Sequence, residues 1–139
     1  MSFIHEYFVP VGAHIKERLA YFHRFNALWT PTVLVLDSDG VERARIEGYL
    51  PNSEFRAHLE IGLGRMDFMH KQWGEAQRRY AQVEQKYSNT SIAPEAMYWR
   101  GVSRYRATND HKALDEIAGE LKAKHPESVW TKKASIWSH

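Results

Sequence analysis

Two patterns of hydrophobic and polar positions meet near residue 51 of the chain. Before it, short apolar runs predict β-strands at residues 8–15, Thr32–Leu36 and 41–47, and apolar residues three apart predict a helix at residues 17–25. The run Thr32–Leu36 is apolar at almost every position, which is typical of a strand buried on both faces. The first part of the chain is therefore predicted to be an α/β unit.

From residue 51 onward the apolar positions recur at helical spacing. Asn52 can cap the first helix, and Pro94 stands where proline is favoured, in the first turn of a later helix. Pro126 is expected to stop the fourth helix. The predicted helices cover residues 52–66 and 73–87, then run from Pro94 to a break at residues 108–110, from that break to Pro126, and briefly over residues 130–137.

An internal repeat with an offset of 37 residues relates two of the predicted helical hairpins. Gly64 precedes Ala76 by 12 residues, and Gly101 precedes Ala113 by the same 12. Small residues at such positions let paired helices approach closely, as in stacked hairpins. The pattern resembles the tetratricopeptide repeat, although Glu60 stands where the first copy would carry a large apolar residue. We expect tetratricopeptide-like hairpins.

A second resemblance rests on residues 29–51. Residues 29–40 read Trp-Thr-Pro-Thr-Val-Leu-Val-Leu-Asp-Ser-Asp-Gly, and residues 46–51 read Ile-Glu-Gly-Tyr-Leu-Pro before the next helix. This order resembles the C-terminal half of a thioredoxin-like domain, where a cis Thr-Pro peptide opens a central strand and a turn, an antiparallel strand and a last helix follow. The resemblance covers roughly residues 3–66.

Together the two resemblances imply a fold class of α/β plus α. A partial thioredoxin-like β-α-β-β-α unit would be followed by tetratricopeptide-like antiparallel helical hairpins. We expect residues 1–66 to form the thioredoxin-like C-terminal half and residues 52–139 the hairpins. The two parts would share the helix at residues 52–70.

The chain of 139 residues contains no cysteine. Disulfides, thiolate metal sites and thiol catalysis are therefore excluded. In thioredoxin-like proteins the redox dithiol lies upstream of the strand matched here to residues 8–15, so the resemblance implies an absent segment. Two interpretations stay open: a protein-interaction module without thiol redox chemistry of its own, or a truncated or late-start form of a thiol-disulfide oxidoreductase whose Cys-x-x-Cys lies upstream. For this chain we expect no enzymatic activity and no cofactor.

Two surfaces are candidates for binding a protein or peptide partner. The thioredoxin-like resemblance implies that Trp29, Thr30 and Pro31 form a peptide-binding loop with a cis proline; a trans proline that merely begins a strand is the alternative. Arg100 and Arg104 lie four residues apart on a predicted helix, where they could hold a partner's carboxylate in a groove between hairpins. A solvated basic face is the plainer interpretation of these two arginines.

The thioredoxin-like resemblance also predicts an incomplete sheet. In the family a further strand lies between the strands matched to residues 8–15 and Thr32–Leu36. Without it, these strands must pair directly or a second chain must fill the gap, because an open apolar strand edge favours association. We expect either a homodimer through this sheet or dependence on a further N-terminal portion.

Net charge and the remaining motifs bear on whether nucleic acid, metal ions or a membrane are expected as partners. Lys and Arg number 19 against 17 Asp and Glu, with a diluted basic excess after residue 70, so nucleic-acid binding is not favoured. The 8 histidines show no metal-ligand spacing, and Asp37 and Asp39 before Gly40 are interpreted as turn formers, so no metal site is predicted. No membrane-length apolar run and no secretory pattern at the start are present, and we expect a cytoplasmic protein without a membrane partner.

Overall fold

The computed structural model describes residues 2–13, 19–27 and 31–138. Five helices of 13 residues or fewer and three longer ones surround a single β-hairpin in this part of the chain. The elements are, in chain order, α1 (Ser2–Tyr7), α2 (Leu19–Arg24), β1 (Thr32–Leu36), β2 (Glu42–Glu47), α3 (Asn52–Met69), α4 (Trp73–Lys86), α5 (Ala93–Thr108), α6 (Lys112–Lys124), α7 (Val129–Ala134) and a short 3-10 helix, α8 (Ser135–Trp137).

The strands β1 and β2 pair antiparallel, with a β-bulge after Val35. Val33 lies opposite Ile46, and Val35 lies opposite Ala44. Because side chains alternate along a strand, these residues share one face, and they pack with Leu59 of α3 in one apolar cluster. The hairpin therefore buries one face against the helix that follows it.

The predicted strand at residues 8–15 is wrong over its described part. Residues 8–13 have no regular secondary structure, and residues 14 and 15 lie outside the described residues. The side chains of Val9 and Val11 are 90% and 84% exposed, and Pro10 between them has no N–H to donate. This segment has neither a buried face nor a complete set of ladder donors, which explains why it does not form a strand.

The sheet of the described residues consequently has two strands, where the sequence predicts three. The prediction that β1 is buried on both faces is also wrong. Val35 is the one buried residue of β1, and Leu36 is exposed. The architecture is mixed α/β, as predicted, but the order of the described elements through α3 is α-α-β-β-α. The helix predicted at residues 17–25 appears as α2, with residues 17 and 18 outside the described part.

Helix α3 contacts both the sheet and the next helix, and two glycines make this possible. A Cβ atom on Gly62 would lie 3.1 Å from Val35 Cγ1 of the sheet, whereas one on Gly64 would lie 2.7 Å from the Tyr80 ring of α4. Both glycines are buried. The absence of side chains therefore lets α3 approach β1 on one side and α4 on another.

The close approach at Gly64 recurs in the next hairpin. A Cβ atom on Gly101 of α5 would lie 2.6 Å from the Cβ of Ile117 in α6. Tyr80 and Ile117 each follow the repeat alanine by four residues, so the two contacts are related by the same offset of 37. The repeat seen in the sequence therefore corresponds to two equivalent helix-helix contacts.

The remaining helix predictions hold with one correction at a helix start. Pro94 lies in the first turn of α5, and α6 ends at Lys124, before Pro126. Asn52 is the first residue of α3 and makes no capping hydrogen bond, since Pro51 occupies the N-cap position. The predicted cap at Asn52 is therefore wrong by one position.

Glu60, which departs from the repeat pattern, is buried in α3. Its Oε1 lies 3.7 Å from the Nζ of Lys86 in α4. Burial, together with a hydrogen bond to Glu60, raises the pKa of Tyr87 to about 12. A polar cluster at the end of α4 therefore replaces the apolar contact that the repeat would otherwise place here.

Candidate functional site

Of the loop predicted at residues 29–31, the described residues include only Pro31. Its carbonyl oxygen accepts a hydrogen bond from the Gly48 N–H at 2.7 Å, which closes the open end of the β-hairpin. Gly48 has a φ of 84°, a conformation that glycine adopts without strain. Trp29 and Thr30 lie outside the described residues, so the cis peptide stays a prediction.

Arg100 links three helices. Its Nε donates to Glu84 of α4, and its Nη2 donates to Glu120 of α6 at 2.8 Å. Burial opposes the charge on Arg100, but the hydrogen bond to Glu84 and the attraction of both carboxylates outweigh it and raise the pKa of Arg100. This side chain is part of the packing between hairpins.

Arg104, the second arginine predicted in the groove, donates through Nη1 to Glu116 of α6 at 2.6 Å. Both side chains of this pair are 40% exposed or more, and an exposed pair of this kind contributes about 0–1 kcal/mol. A partner carboxylate at Arg100 or Arg104 would therefore have to exchange with a carboxylate of the chain. No contact among the described residues joins either arginine to Pro31.

The turn between β1 and β2 contains a buried ion pair. Asp37 Oδ2 accepts hydrogen bonds from Arg43 Nε at 2.9 Å and Nη2 at 2.6 Å, and Oδ1 accepts one from the Asp39 N–H at 2.9 Å. The Arg43 guanidinium, followed by the Asp39 N–H, lowers the pKa of Asp37 to about 2. The bond to the Asp39 backbone confirms Asp37 as a turn former.

The same carboxylate reaches the end of α3. His70 Nε2 lies 3.3 Å from Asp37 Oδ2, and Asp37, Asp39 and His70 can each direct one ligand atom to within 4.8 Å of the others. A cation at this point would compete with Arg43 for Asp37 Oδ2. The geometry therefore favours an anchor that holds the turn against α3.

A second polar link joins the sheet to the helical hairpins through Arg65 of α3. Its Nη1 donates to the carbonyl oxygen of Arg43 in β2 at 3.1 Å, and its Nη2 donates to Glu95 of α5. Glu95 is buried in the first turn of α5. One side chain thus connects β2, α3 and α5.

Aromatic side chains from α3, α4, α5, α7 and α8 contact one another in a continuous series, which we call the aromatic row. Phe68 of α3 lies 5.4 Å, between ring centroids, from Trp99 of α5, which lies 6.2 Å from Trp130 of α7. All members are partly exposed. The aromatic row consists of Phe68, Trp73, Tyr98, Trp99, Trp130 and Trp137.

None of the binding candidates predicted from the sequence belongs to the aromatic row. Its other contacts are Phe68 with Trp73 at 4.9 Å and Tyr98 stacked on Trp137 at 4.9 Å. These rings do not follow the 37-residue offset that relates the hairpins. Aromatic residues in successive predicted helices are the available signal, but their alignment depends on how the helices stack.

Comparison with known families bears on the N-terminal part of the chain. A family model described as a thioredoxin-like domain matches residues 2–62. We call these matched residues the thioredoxin-like segment. No curated protein matches the chain, and no solved structure does.

The thioredoxin-like segment contains the β-hairpin and ends within α3, at Gly62. It includes the predicted loop at residues 29–31, whereas Arg100, Arg104 and the whole aromatic row lie beyond it. Among the described helices, none combines the length and the apolar character needed to cross a membrane. The two sets of candidate site residues therefore belong to different parts of the chain.

Proposed function

We propose that the chain is a protein-interaction module, in which a thioredoxin-like segment without thiol redox chemistry continues into tetratricopeptide-like hairpins. The observation that carries this proposal is the position of α3, which packs on the β-hairpin at Gly62 and on α4 at Gly64. Thiol-disulfide exchange needs a thiolate, and the chain has no cysteine to supply one. The thioredoxin-like segment retains a surface that can contact a partner.

The two equivalent glycine contacts support the tetratricopeptide-like part of the proposal. Gly64 meets Tyr80 and Gly101 meets Ile117, each across a separation of 16 residues. Repeats that stack through equivalent contacts form an extended surface from corresponding helices, and such surfaces bind partners. The proposal assigns that role to the face that carries α3, α5 and α7.

Two binding surfaces belong to the proposal. The loop of Trp29, Thr30 and Pro31, with its cis proline, would pair with an extended peptide beside the sheet. The groove residues Arg100 and Arg104 would exchange their internal carboxylates for those of a partner. Their present pairs with Glu84, Glu120 and Glu116 hold the guanidinium groups in position.

Selection of random displayed peptides on the whole chain tests this function. We expect peptides that bind in solution, and we expect the double charge reversal Arg100→Glu with Arg104→Glu to weaken those that use the groove. Arg78→Glu is the control, since Arg78 forms an exposed pair with Glu75 on α4. Insulin reduction by the chain should stay at background. Failure to enrich any peptide above a blank surface, or reduction above background, would contradict the proposal.

A thiol-disulfide oxidoreductase with its Cys-x-x-Cys upstream is the second candidate, because the family match at residues 2–62 is compatible with it as well. The gene sequence immediately upstream of Met1 distinguishes the two. An in-frame strand followed by Cys-x-x-Cys, together with insulin reduction by the longer product, would favour the enzyme. The absence of such a frame would favour the interaction module.

The proposal also includes a homodimer through the incomplete sheet. The described sheet has two strands, and an isolated two-stranded hairpin is marginally stable in water. Sedimentation equilibrium at low micromolar concentration should show a dimer. A stable monomer at that concentration would remove the homodimer and leave the rest of the proposal in place.

A further inference from the structure

Three rings of the aromatic row connect α3, α5 and α7. Phe68, Trp99 and Trp130 come from α3, α5 and α7, and each ring is in contact with the next. These contacts are edge-to-face, at interplanar angles of 66° and 60°. Each of the three residues is partly exposed. Partly exposed tryptophan and tyrosine side chains are enriched where protein partners bind most tightly.

Two cations lie on the outer rings of the aromatic row. The Arg106 guanidinium is 4.8 Å from the centroid of the Trp73 ring, and the Lys133 ammonium is 4.2 Å from the centroid of the Trp130 ring. Both side chains belong to exposed residues. Within the described part of the chain, neither cation is paired with a carboxylate.

The lack of a carboxylate sets Arg106 apart from its neighbours. From Arg65 onward, Arg106 is the one arginine without an acidic partner among the described residues, and its charge rests on an indole ring instead. The paired arginines are Arg65 with Glu95, Arg78 with Glu75, Arg79 with Asp67, Arg100 with Glu84 and Glu120, and Arg104 with Glu116.

Charge complementarity therefore identifies the occupant. Residues 71–139 carry twelve Lys and Arg against eight Asp and Glu, and the unpaired cations of this region include two on the aromatic row. Building on the proposed interaction function, we propose that the aromatic row binds an acidic peptide segment of a protein partner, with its carboxylates on Arg106 and Lys133 and its aromatic side chains on the rings between them.

Single-stranded nucleic acid is the competing occupant, since it also uses aromatic rings and cations. Bases stack on open ring faces. Here Arg106 covers a face of Trp73, Lys133 covers a face of Trp130, and Tyr98 stacks on Trp137. One face of Trp73 and one of Trp130 are thus unavailable to bases, whereas carboxylates can reach the two cations directly, and this favours the peptide.

Calorimetric titration of the whole chain tests the proposal with three probes. These are a synthetic peptide of alternating Glu and Tyr, the same peptide with Gln in place of Glu, and an oligo-thymidine strand. We expect the Glu peptide to bind at least tenfold more tightly than either of the others. Equal affinity for the Gln peptide, or tighter binding of the oligo-thymidine strand, would overturn the proposal.

Variants then locate the site. The double variant Arg106→Gln with Lys133→Gln should weaken binding of the Glu peptide at least tenfold, and Arg106→Lys with native Lys133 should retain most of it. The control Arg78→Gln with Lys122→Gln removes two exposed charges away from the aromatic row and should change affinity less than twofold. An equal loss in both double variants would show an unspecific charge effect and overturn the proposal.

The outcome is separable from that of the proposed function. If displayed peptides bind the chain but the Glu peptide does not, the aromatic-row proposal fails and the interaction module stands. If neither displayed peptides nor the Glu peptide bind, both fail. Thermal unfolding of each variant, compared with the native chain, shows whether a loss of affinity reflects a loss of folding.

Discussion

The β-hairpin of the thioredoxin-like segment and the helical stack from α3 to α6 are stabilised to different degrees. The hairpin buries a small apolar cluster on one face, and exposed apolar side chains such as Val9 and Tyr49 lie in the adjoining segments. The stack buries two clusters, one around Tyr80 and one around Leu121, and its helices meet at glycines.

This difference indicates which region depends on the other. A two-stranded hairpin has too little buried surface to be stable alone. Here it rests on α3 through Leu59, and it is tied to the helices by the pair of Asp37 with His70 and by Arg65. The helical stack is the supporting body, and the β-hairpin is held in place by it.

The largest expected effect comes from removing packing inside the stack. Leu121 of α6 is fully buried, so Leu121→Ala should lower the free energy of unfolding by about 2–5 kcal/mol. Leu114, half-buried in the same helix, provides the control, and Leu114→Ala should cost clearly less. Urea unfolding measures both. Equal losses would mean that the α5–α6 interface is not the packed centre described.

The glycine contacts predict the next effect. Gly101→Ala puts a Cβ against Ile117, and overpacking of this kind should cost about 1–3 kcal/mol. Gly119 in α6 has open space around it, and Gly119→Ala should stabilise by about 0.5–1 kcal/mol because alanine favours helix. The same unfolding experiment checks the pair. Stabilisation by both substitutions would argue against close helix approach at Gly101.

The hairpins of the helical stack could be predicted because they depend on spacings between residues close in sequence. The spacings from Gly64 to Ala76 and from Gly101 to Ala113 indicated the hairpins, because helix pairing repeats a local geometry. The strand at residues 8–15 was mispredicted because the exposure of Val9 and Val11 is decided by tertiary packing.

The candidate site was harder to predict for the same reason. Arg100 was selected from its spacing to Arg104, yet its charge is engaged by Glu84 and Glu120, which lie 16 and 20 residues away. The aromatic row joins Phe68 to Trp99 and Trp130 through helix stacking. Contacts between helices that are distant in sequence carry no local signal.

A smaller effect is expected at low pH in the hairpin turn. The pKa of Asp37 is lowered from its ordinary 3.8 to about 2 in the folded chain, so folding favours the charged form. The resulting stabilisation is complete above pH 4 and is lost as the pH falls through 2. Thermal unfolding from pH 5 to 2 should show this loss, and Asp37→Asn should remove its contribution. Asp39→Asn, at an exposed position, is the control.

If Asp37→Asn unfolds with the same dependence on pH as the native chain, the ion pair with Arg43 does not stabilise the turn. If Asp39→Asn reduces the pH dependence of unfolding as much as Asp37→Asn does, the stabilisation belongs to the turn in general. The first result contradicts the anchor role of Asp37, and the second contradicts the assignment to this one carboxylate.

The smallest effects are expected at the exposed apolar residues near the β-hairpin. Val9→Ser and Tyr49→Ser should each change the free energy of unfolding by less than about 0.5 kcal/mol, because the side chains are 90% and 91% exposed. Urea unfolding at low protein concentration measures this. A loss that grows with protein concentration would instead show these residues buried between copies of the chain.

Hydrogen exchange of the whole chain, alone and with a display-selected peptide, tests most directly whether this chain acts by binding a protein partner. With the peptide bound, we predict slower exchange of amides in α5 and α7, which carry half of the aromatic row, and unchanged exchange in β2. If no peptide slows the exchange of any amide in the chain, the interaction function is contradicted.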